Sequence, residues 1–335
     1  MQYVEINFEG YFHCYRTAIH PSTDLYLTAY NFITGASACN TIKKERISIK
    51  EMAVFYNQAT LSYNNGVTSS NVVAGELLEV LSATKTAVSS GYRAGDSITY
   101  IISIVNSGTL AYTDLTVSDN LGAYGPTDTP IYPLTYVADS VRYFVNGVLQ
   151  TTPTVQAGPP LSIGGISVPA GGNAIIVYET DVNQFAPLGV DSTIVNEATI
   201  SGGGITTPIT VTETVGTDDV AILSISKAIS PVSVVENGTL NYTFIIENVG
   251  NTEAVATDDV IVTDTFNPIL SGITVTFNNE TWTEGVNYTY NEATGEFATI
   301  AGQITIPAAT YAQDPVTGAW AVNPGVGILR ITGTI

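Results

Sequence analysis

The stretch SATKTAVSSGYRAGDSITYIISIVNSGTLAYTDLTVSDNL, Ser82–Leu121, decides the fold: apolar and polar residues alternate through SITYIISIV and LTVSD, and Gly, Asn and Asp interrupt the runs. Such a pattern belongs to short half-buried strands joined by tight turns. The same order returns in SISKAISPVSVVENGTLNYTFIIENVGNTEAVATDDVIVTDTF, Ser224–Phe266, matching Lys85 with Lys227, Asn106 with Asn248, Gly108 with Gly250 and Asp119 with Asp264. Further along, SVRYFVNGVLQ from Ser140 matches GITVTFNNETW from Gly272. ISVPAGGNAIIVYETDV from Ile166 matches ITIPA from Ile304 and, after an insertion, GILRITGTI. A duplication of this extent predicts two modules of one architecture. The fold class expected is all-β, two tandem immunoglobulin-like β-sandwiches, with module 1 at residues 77–212, a linker at 213–220 and module 2 at 221–335.

The chain of 335 residues is long enough to bury two cores without disulfides or metal. Its formal net charge of −20 repels phosphate backbones and anionic lipid, so neither nucleic acid nor a membrane surface is an expected partner. No apolar run is long enough to span a bilayer, and no basic-then-apolar leader opens the sequence. Residues 1–51 differ in kind, holding both cysteines (Cys14, Cys39) and both histidines (His13, His20). Met52 directly precedes the first segment that resembles the rest, so the expected natural start is Met52 and 1–51 an upstream extension. The alternative is a small extra domain or a clip made by the two cysteines.

The two modules end differently. Module 1 runs on to STIVNEATISGGG, Ser192–Gly204, whereas module 2 reaches Ile335 without a counterpart. VFYNQATLSYNNGVTSS, from Val54, resembles TIVNEATISGGGITTP, from Thr193, pairing Asn57 with Asn196, Ala59 with Ala198 and Thr60 with Thr199. Residues 52–76 are therefore expected to be a spare strand plus linker, with Phe55, Asn57, Ala59 and Leu61 sharing the face that would enter a core. A sandwich lacking an edge strand exposes apolar side chains and a row of unpaired backbone groups. The expected partner is another copy of the chain, whose N-terminal strand completes module 2 of its neighbour and so builds a filament or a ring. The alternatives are that the strand folds back within its own chain or hangs loose.

Beyond residue 51 there is neither Cys nor His, which removes Ser-His-Asp and Cys-His catalysis and histidine metal sites there. No phosphate-cradling glycine loop and no calcium loop occurs. Asp218-Asp219 and Asp258-Asp259 have the oxygen chemistry for Ca²⁺ between modules, but solvated turn charges account for them more simply. No enzyme activity, cofactor or metal is expected. One constellation carries chemistry: Lys85, Asp119 and Asn196 fall on a first, a middle and a last strand of module 1. They resemble the arrangement in surface sandwiches of the collagen-binding adhesin type, where Lys and Asn are joined by an isopeptide bond. Burial lowers a lysine pKa toward the nucleophilic amine, and a neighbouring acid can shuttle the proton while ammonia leaves. The alternative places Lys85 on the surface, Asp119 at a strand end and Asn196 as a turn cap. Module 2 has Lys227 and Asp264 but no closing Asn; Asn57 of the donor strand would supply it, welding adjacent copies.

TKTAV at Thr84, GDSITY at Gly95, NSG at Asn106, TVSDNL at Thr116 and NEATI at Asn196 resemble the conserved-repeat modules of bacterial surface proteins known as domain of unknown function eleven. The resemblance covers Met52 to Ile335 and implies an extracellular structural or adhesive role. Clostridial members without signal peptides look like components of spore appendages or outer spore layers. The chain lacks a sortase motif and a basic anchoring tail, which separates it from wall-attached relatives. The expected function is a self-assembling subunit of a surface or spore filament. The alternative is an adhesin whose loops, Gly122–Pro133 and Tyr311–Pro324, grip a host protein or glycan.

Overall fold

The computed structural model describes residues 13–19, 25–31, 40–47, 53–63, 66–77 and 79–335, which divide into two compact units, Met1–Glu79 and Val80–Ile335. Met52, and with it the question of the natural start, lies outside the described residues. In the first unit, β1 (His13–Ile19), β2 (Leu25–Asn31) and β3 (Asn40–Ile47) pair as an antiparallel sheet. The segment expected as one spare strand and a linker is instead a complete hairpin. Its arms are β4 (Ala53–Asn57) with β5 (Thr60–Tyr63), and β6 (Gly66–Ser69) with β7 (Val73–Leu77); β4 pairs β7 and β5 pairs β6. Between the two ladders the Ala59 N–H donates to Ser70 Oγ at 2.9 Å and Gln58 Nε2 donates to the Ser70 carbonyl at 2.8 Å. The second arm forms because Val67, Thr68, Val72 and Val73 favour extended backbone, and pairing satisfies the polar groups of β4.

Module 1 contains β8 (Leu81–Ala87), β9 (Gly91–Tyr92), β10 (Ser97–Asn106), β11 (Tyr112–Asp119), β12 (Leu134–Tyr136), β13 (Arg142–Val145), β14 (Val148–Leu149), β15 (Thr154–Gln156), β16 (Leu161–Val168), β17 (Asn173–Val182), β18 (Thr193–Gly202) and β19 (Ile209–Thr217). One sheet runs β14-β13-β17-β10-β8, with β12 also on β17; the other runs β15-β16-β11-β18-β19-β9. Ile98, Tyr100, Ile102 and Ile104 alternate inward from the first sheet to meet Leu115, Val117, Ile163, Ala198 and Ile200 of the second. Strand β19 corrects the expected boundary at residue 212. The glycine run at 202–204 is the turn of a further hairpin rather than the end of the module, and β19 occupies five residues assigned to the linker.

Module 2 contains β20 (Leu223–Ser230), β21 (Thr239–Asn248), β22 (Thr263–Thr265), β23 (Ser271–Phe277), β24 (Glu280–Thr281), β25 (Tyr288–Asn291), β26 (Glu296–Thr299), β27 (Thr310–Gln313), β28 (Trp320–Asn323) and β29 (Gly325–Thr334). The sheet β20-β21-β29-β23-β24 faces a shorter one, β22-β26-β25, over a core that includes Tyr242, Phe244, Phe266, Phe297, Leu329 and Ile331. Fold class and duplication are as expected: tandem all-β sandwiches.

The repeated Asn-x-Gly turns have one task. Asn106 Nδ2 donates to the carbonyls of Leu110 and Pro169 at 2.8 and 2.9 Å while its Oδ1 accepts the Gly108 N–H; Asn248 makes the same bonds to Thr252, Pro307 and Gly250. Each buried amide thus ties three segments at the leading end of its module. At the junction, Asp218 pairs with Arg93 at 3.2 Å and Asp219 accepts from Asn251 Nδ2 at 2.6 Å. The loops Gly122–Pro133 and Tyr311–Pro324, the contact surfaces of the alternative adhesin reading, are joined to each other. The Tyr124 hydroxyl accepts from Gln313 Nε2 at 3.0 Å and from Trp320 Nε1 at 3.2 Å. The insertion that carries β27 and β28 is therefore a clamp holding module 2 against the trailing end of module 1.

Replacing Asn106 by Ala strands the backbone groups it serves and should destabilise module 1 by about 2–3 kcal/mol, since each buried polar group left unpaired costs about 1–3 kcal/mol. Chemical denaturation followed by tyrosine fluorescence reads this as a lowered midpoint.

Candidate functional site

Lys85 points inward because β8 alternates: Leu81 and Lys85 are buried and Ser82, Thr84 and Thr86 face solvent. From the first sheet its Nζ crosses the core to Asp119 Oδ2 on β11, at 2.6 Å, with the two side chains 0% and 1% exposed. The register places Ala198 of β18 opposite Asp119, and Asn196, two residues earlier on the same inward face, is fully buried. The structure therefore brings Lys85 and Asp119 into contact and sets Asn196 in the same core.

Several groups that sequence reasoning missed complete the site. The Tyr178 hydroxyl donates to the Asp119 oxygen that also holds Lys85, and the Leu121 N–H donates to Asp119 Oδ1 at 2.8 Å. The Tyr100 ring stacks on Tyr178 at 5.7 Å, with Lys85 Nζ 4.8 Å from the Tyr100 centroid. The Gly122 N–H donates to Asn196 Oδ1 at 3.1 Å, while Asn196 Nδ2 and the Tyr100 hydroxyl are buried and interact with each other without a hydrogen bond of ordinary geometry. Gly122 has φ +71, and a Cβ there would lie 2.7 Å from Ile194 Cγ2, so only glycine brings this N–H to the amide. Tyr100 was legible within GDSITY, repeated as Tyr242. Tyr178 carried no repeat signal, because the register puts Ile331 at its place in module 2.

Burial holds the Lys85 ammonium below its ordinary pKa, against the opposing pull of Asp119. Burial, reinforced by Asp119, raises that of Tyr178. The set has the parts for amide transfer. They are a lysine biased toward its free amine, a carboxylate to carry the proton, a carboxamide polarised by a backbone N–H, and a leaving nitrogen that holds no hydrogen bond of ordinary geometry. A bond from Lys85 Nζ to Asn196 Cγ would cross from one sheet to the other.

In module 2 the same pair stands open. Lys227 Nζ contacts Asp264 Oδ2, but the side chains are 40% and 17% exposed, and Nζ lies 4.5 Å from the Tyr242 ring centroid. All eight residues of β20 are exposed, including Leu223, Ile225 and Ile229. A cleft of about 330 Å³ is lined by Ile225, Lys227, Phe244, Ile261 and Asp264. Strand β22 pairs with β26 on one side and, among the described residues, with nothing on the other, where β11 has β18. Asn57, Phe55, Ala59 and Leu61 lie on the hairpin of the first unit, Phe55 and Leu61 being 58% and 62% exposed.

No protein-family model matches the chain, and no curated protein sequence does. Among solved structures it is similar to a family 123 glycoside hydrolase from Clostridium perfringens, at 9% identity over 42% of this chain and 28% of that one, TM-score 0.27. It is also similar to the pilus backbone protein of Streptococcus pneumoniae, at 13% identity over 73% of this chain and 55% of that one, TM-score 0.30. A third is the major pilin subunit of Bacillus cereus, at 10% identity over 90% of this chain and 80% of that one, TM-score 0.32. The chain thus spans about a quarter and about half of the first two. Likeness of this order assigns neither an activity nor an assembly.

Removing Asp119 leaves Lys85 in the core without its counter-charge. Asp119→Ala should cost about 3–5 kcal/mol, whereas the double replacement Lys85→Met, Asp119→Leu should cost far less, because it removes both charges. Thermal unfolding of the two variants checks the order.

Proposed function

We propose that the chain is a structural subunit, not an enzyme, that assembles head to tail into an extracellular or spore-surface filament. In this reading the N-terminal segment of one copy completes module 2 of the next. The observation that carries it is the edge of β22, unpaired among the described residues, beside an open Lys227–Asp264 pair, on a chain whose residues 54–60 resemble the sequence that closes module 1. Chain reach supports a second copy as donor. In module 1 the strands that close the sandwich end at Thr217, at the trailing end, and Val80 is held at the leading end by the Ser107 N–H at 2.9 Å. A donor completing module 2 would finish at that module's trailing end, only three residues before Val80. Three residues reach about 10 Å, while the strands β10 and β21, ten residues each, make each module about 33 Å long. Each apolar donor side chain that is buried contributes about 1.5–3 kcal/mol.

Covalent bracing belongs to the same reading. In module 1 the Lys85 amine attacks Asn196 Cγ, the Nζ–Cγ bond forms, and Nδ2 leaves as ammonia with the proton carried by Asp119. In the filament Asn57 of one copy and Lys227 and Asp264 of the next stand in the same relation and weld the subunits. The membership suggested by the conserved-repeat motifs agrees with this role, and no cofactor takes part.

Deleting residues 53–77 should abolish polymers seen by negative-stain electron microscopy while module 1 stays folded; filaments formed without those residues sink the reading. Intact mass should fall short by about 17 Da for each bond, the mass of ammonia, and the module 1 bond should vanish in Asn196→Ala. The neutral amine is the attacking species, so bond formation during refolding should accelerate as pH rises through the lowered Lys85 pKa, levelling off below the ordinary 10.5. A timed mass series across pH reads this out.

A further inference from the structure

We infer that the element passed between copies is the whole hairpin β4–β7, not a single strand, and that its second arm covers β20 of the neighbouring copy. The inference rests on the head-to-tail reading above and specifies its interface.

Three observations carry it. The first is the size of the gap. In module 1 the second sheet continues past β11 through the hairpin β18–β19 and then the two-residue β9; in module 2 it stops at β22, and among the described residues nothing stands where the two hairpin strands stand in module 1. The second is what each hairpin strand covers. β18 pairs with β11, but it is β19 that packs beside β8 of the facing sheet. Leu81 and Lys85 of β8 are buried there, while their counterparts Leu223 and Lys227, together with Ile225 and Ile229, are open on β20. A lone strand on β22 would leave this apolar face in water.

The third is the hairpin itself. In module 1 Asn196 pairs with Glu213 and Ile194 with Val215; in the N-terminal hairpin Asn57 pairs with Val73 and Phe55 with Gly75. Asn57 therefore has a cross-strand partner in the same relation as Asn196. The flanking pair is also compensated in size: two medium side chains, Ile194 and Val215, are replaced by a large and a minimal one. The Phe55 ring lies over Gly75, where a Cβ would come within 2.4 Å of it. Cross-strand partners share a face, so Val73 stands beside Asn57 and faces where Glu213 faces in module 1. The hairpin thus brings β20 an apolar residue at the place where Glu213 overlooks Lys85.

The test uses full-length protein with Cys14→Ser and Cys39→Ser, in which Ile225→Cys on β20 is the only thiol. Its labelling by a maleimide is compared in monomers and in filaments. Loss of labelling on assembly is expected, because the second arm buries position 225. Filaments that need residues 53–63 yet leave the thiol as reactive as in monomers would overturn the hairpin and retain a single-strand donor. Filaments indifferent to Phe55→Asp would bring down the head-to-tail reading itself, and the hairpin with it. As a second measurement, Val73→Asp should prevent assembly while Ala74→Asp, on the opposite face of β7, should not; equal assembly by both would also overturn the hairpin.

Discussion

Backbone N–H and C=O groups along a strand must be paired or hydrated, and an apolar sheet face must be covered; the architecture of this chain turns on where those two demands are met. In module 1 the hairpin β18–β19 meets both, giving β11 its ladder and β8 its cover. In module 2 neither is met within the described residues, and the consequences are visible side chain by side chain. The same Lys–Asp pair is sealed in one module and open in the other, and the first strand changes from alternating burial to exposure throughout. The hairpin at residues 53–77 has the opposite imbalance, presenting Phe55, Leu61 and Val73 without a core.

The buried polar set of module 1 follows from the same closure. Lys85 can be held beside Asp119 in the core only because β18 and β19 exclude water. That exclusion also leaves Asn196 Nδ2 and the Tyr100 hydroxyl without a hydrogen bond of ordinary geometry, an arrangement that costs stability unless chemistry removes one of the two groups. Gly122 aims its N–H at the Asn196 carbonyl from a loop whose sequence gave no hint of that role. The loop is also part of the inter-module clamp through Tyr124, so one excursion of the chain serves the core of module 1 and the junction.

The junction bears on assembly. Within the chain, module 2 follows module 1 through a linker anchored by Asn248 and Asn251, and Val80 is tied at the leading end of module 1 by the equivalent turn. In the proposed filament a completed module 2 is followed by the next module 1 across a connection shorter than the one between module 1 and module 2. A repeating array of sandwiches would then continue across subunit boundaries, each boundary falling inside a module rather than between modules.

What the sequence by itself determined was whatever depends on local periodicity and on comparison of the chain with itself. Alternation predicted strands, the duplicated Lys, Asn, Gly and Asp positions predicted two sandwiches, and residues 54–60 stood out by their likeness to residues 193–199 of module 1. The tertiary structure decided what depends on pairing across long separations. It turned the spare strand into a hairpin, because β7 reads as a linker until β4 is seen to need a partner. It extended module 1 through β19, because a glycine-rich turn looks in sequence like an end. It joined two loops that each looked free, because their partner residues lie far apart in the chain and meet only when the modules stack. And it showed one Lys–Asp pair sealed and the other open, since burial depends on which strands stand beside a residue, not on which residues precede it.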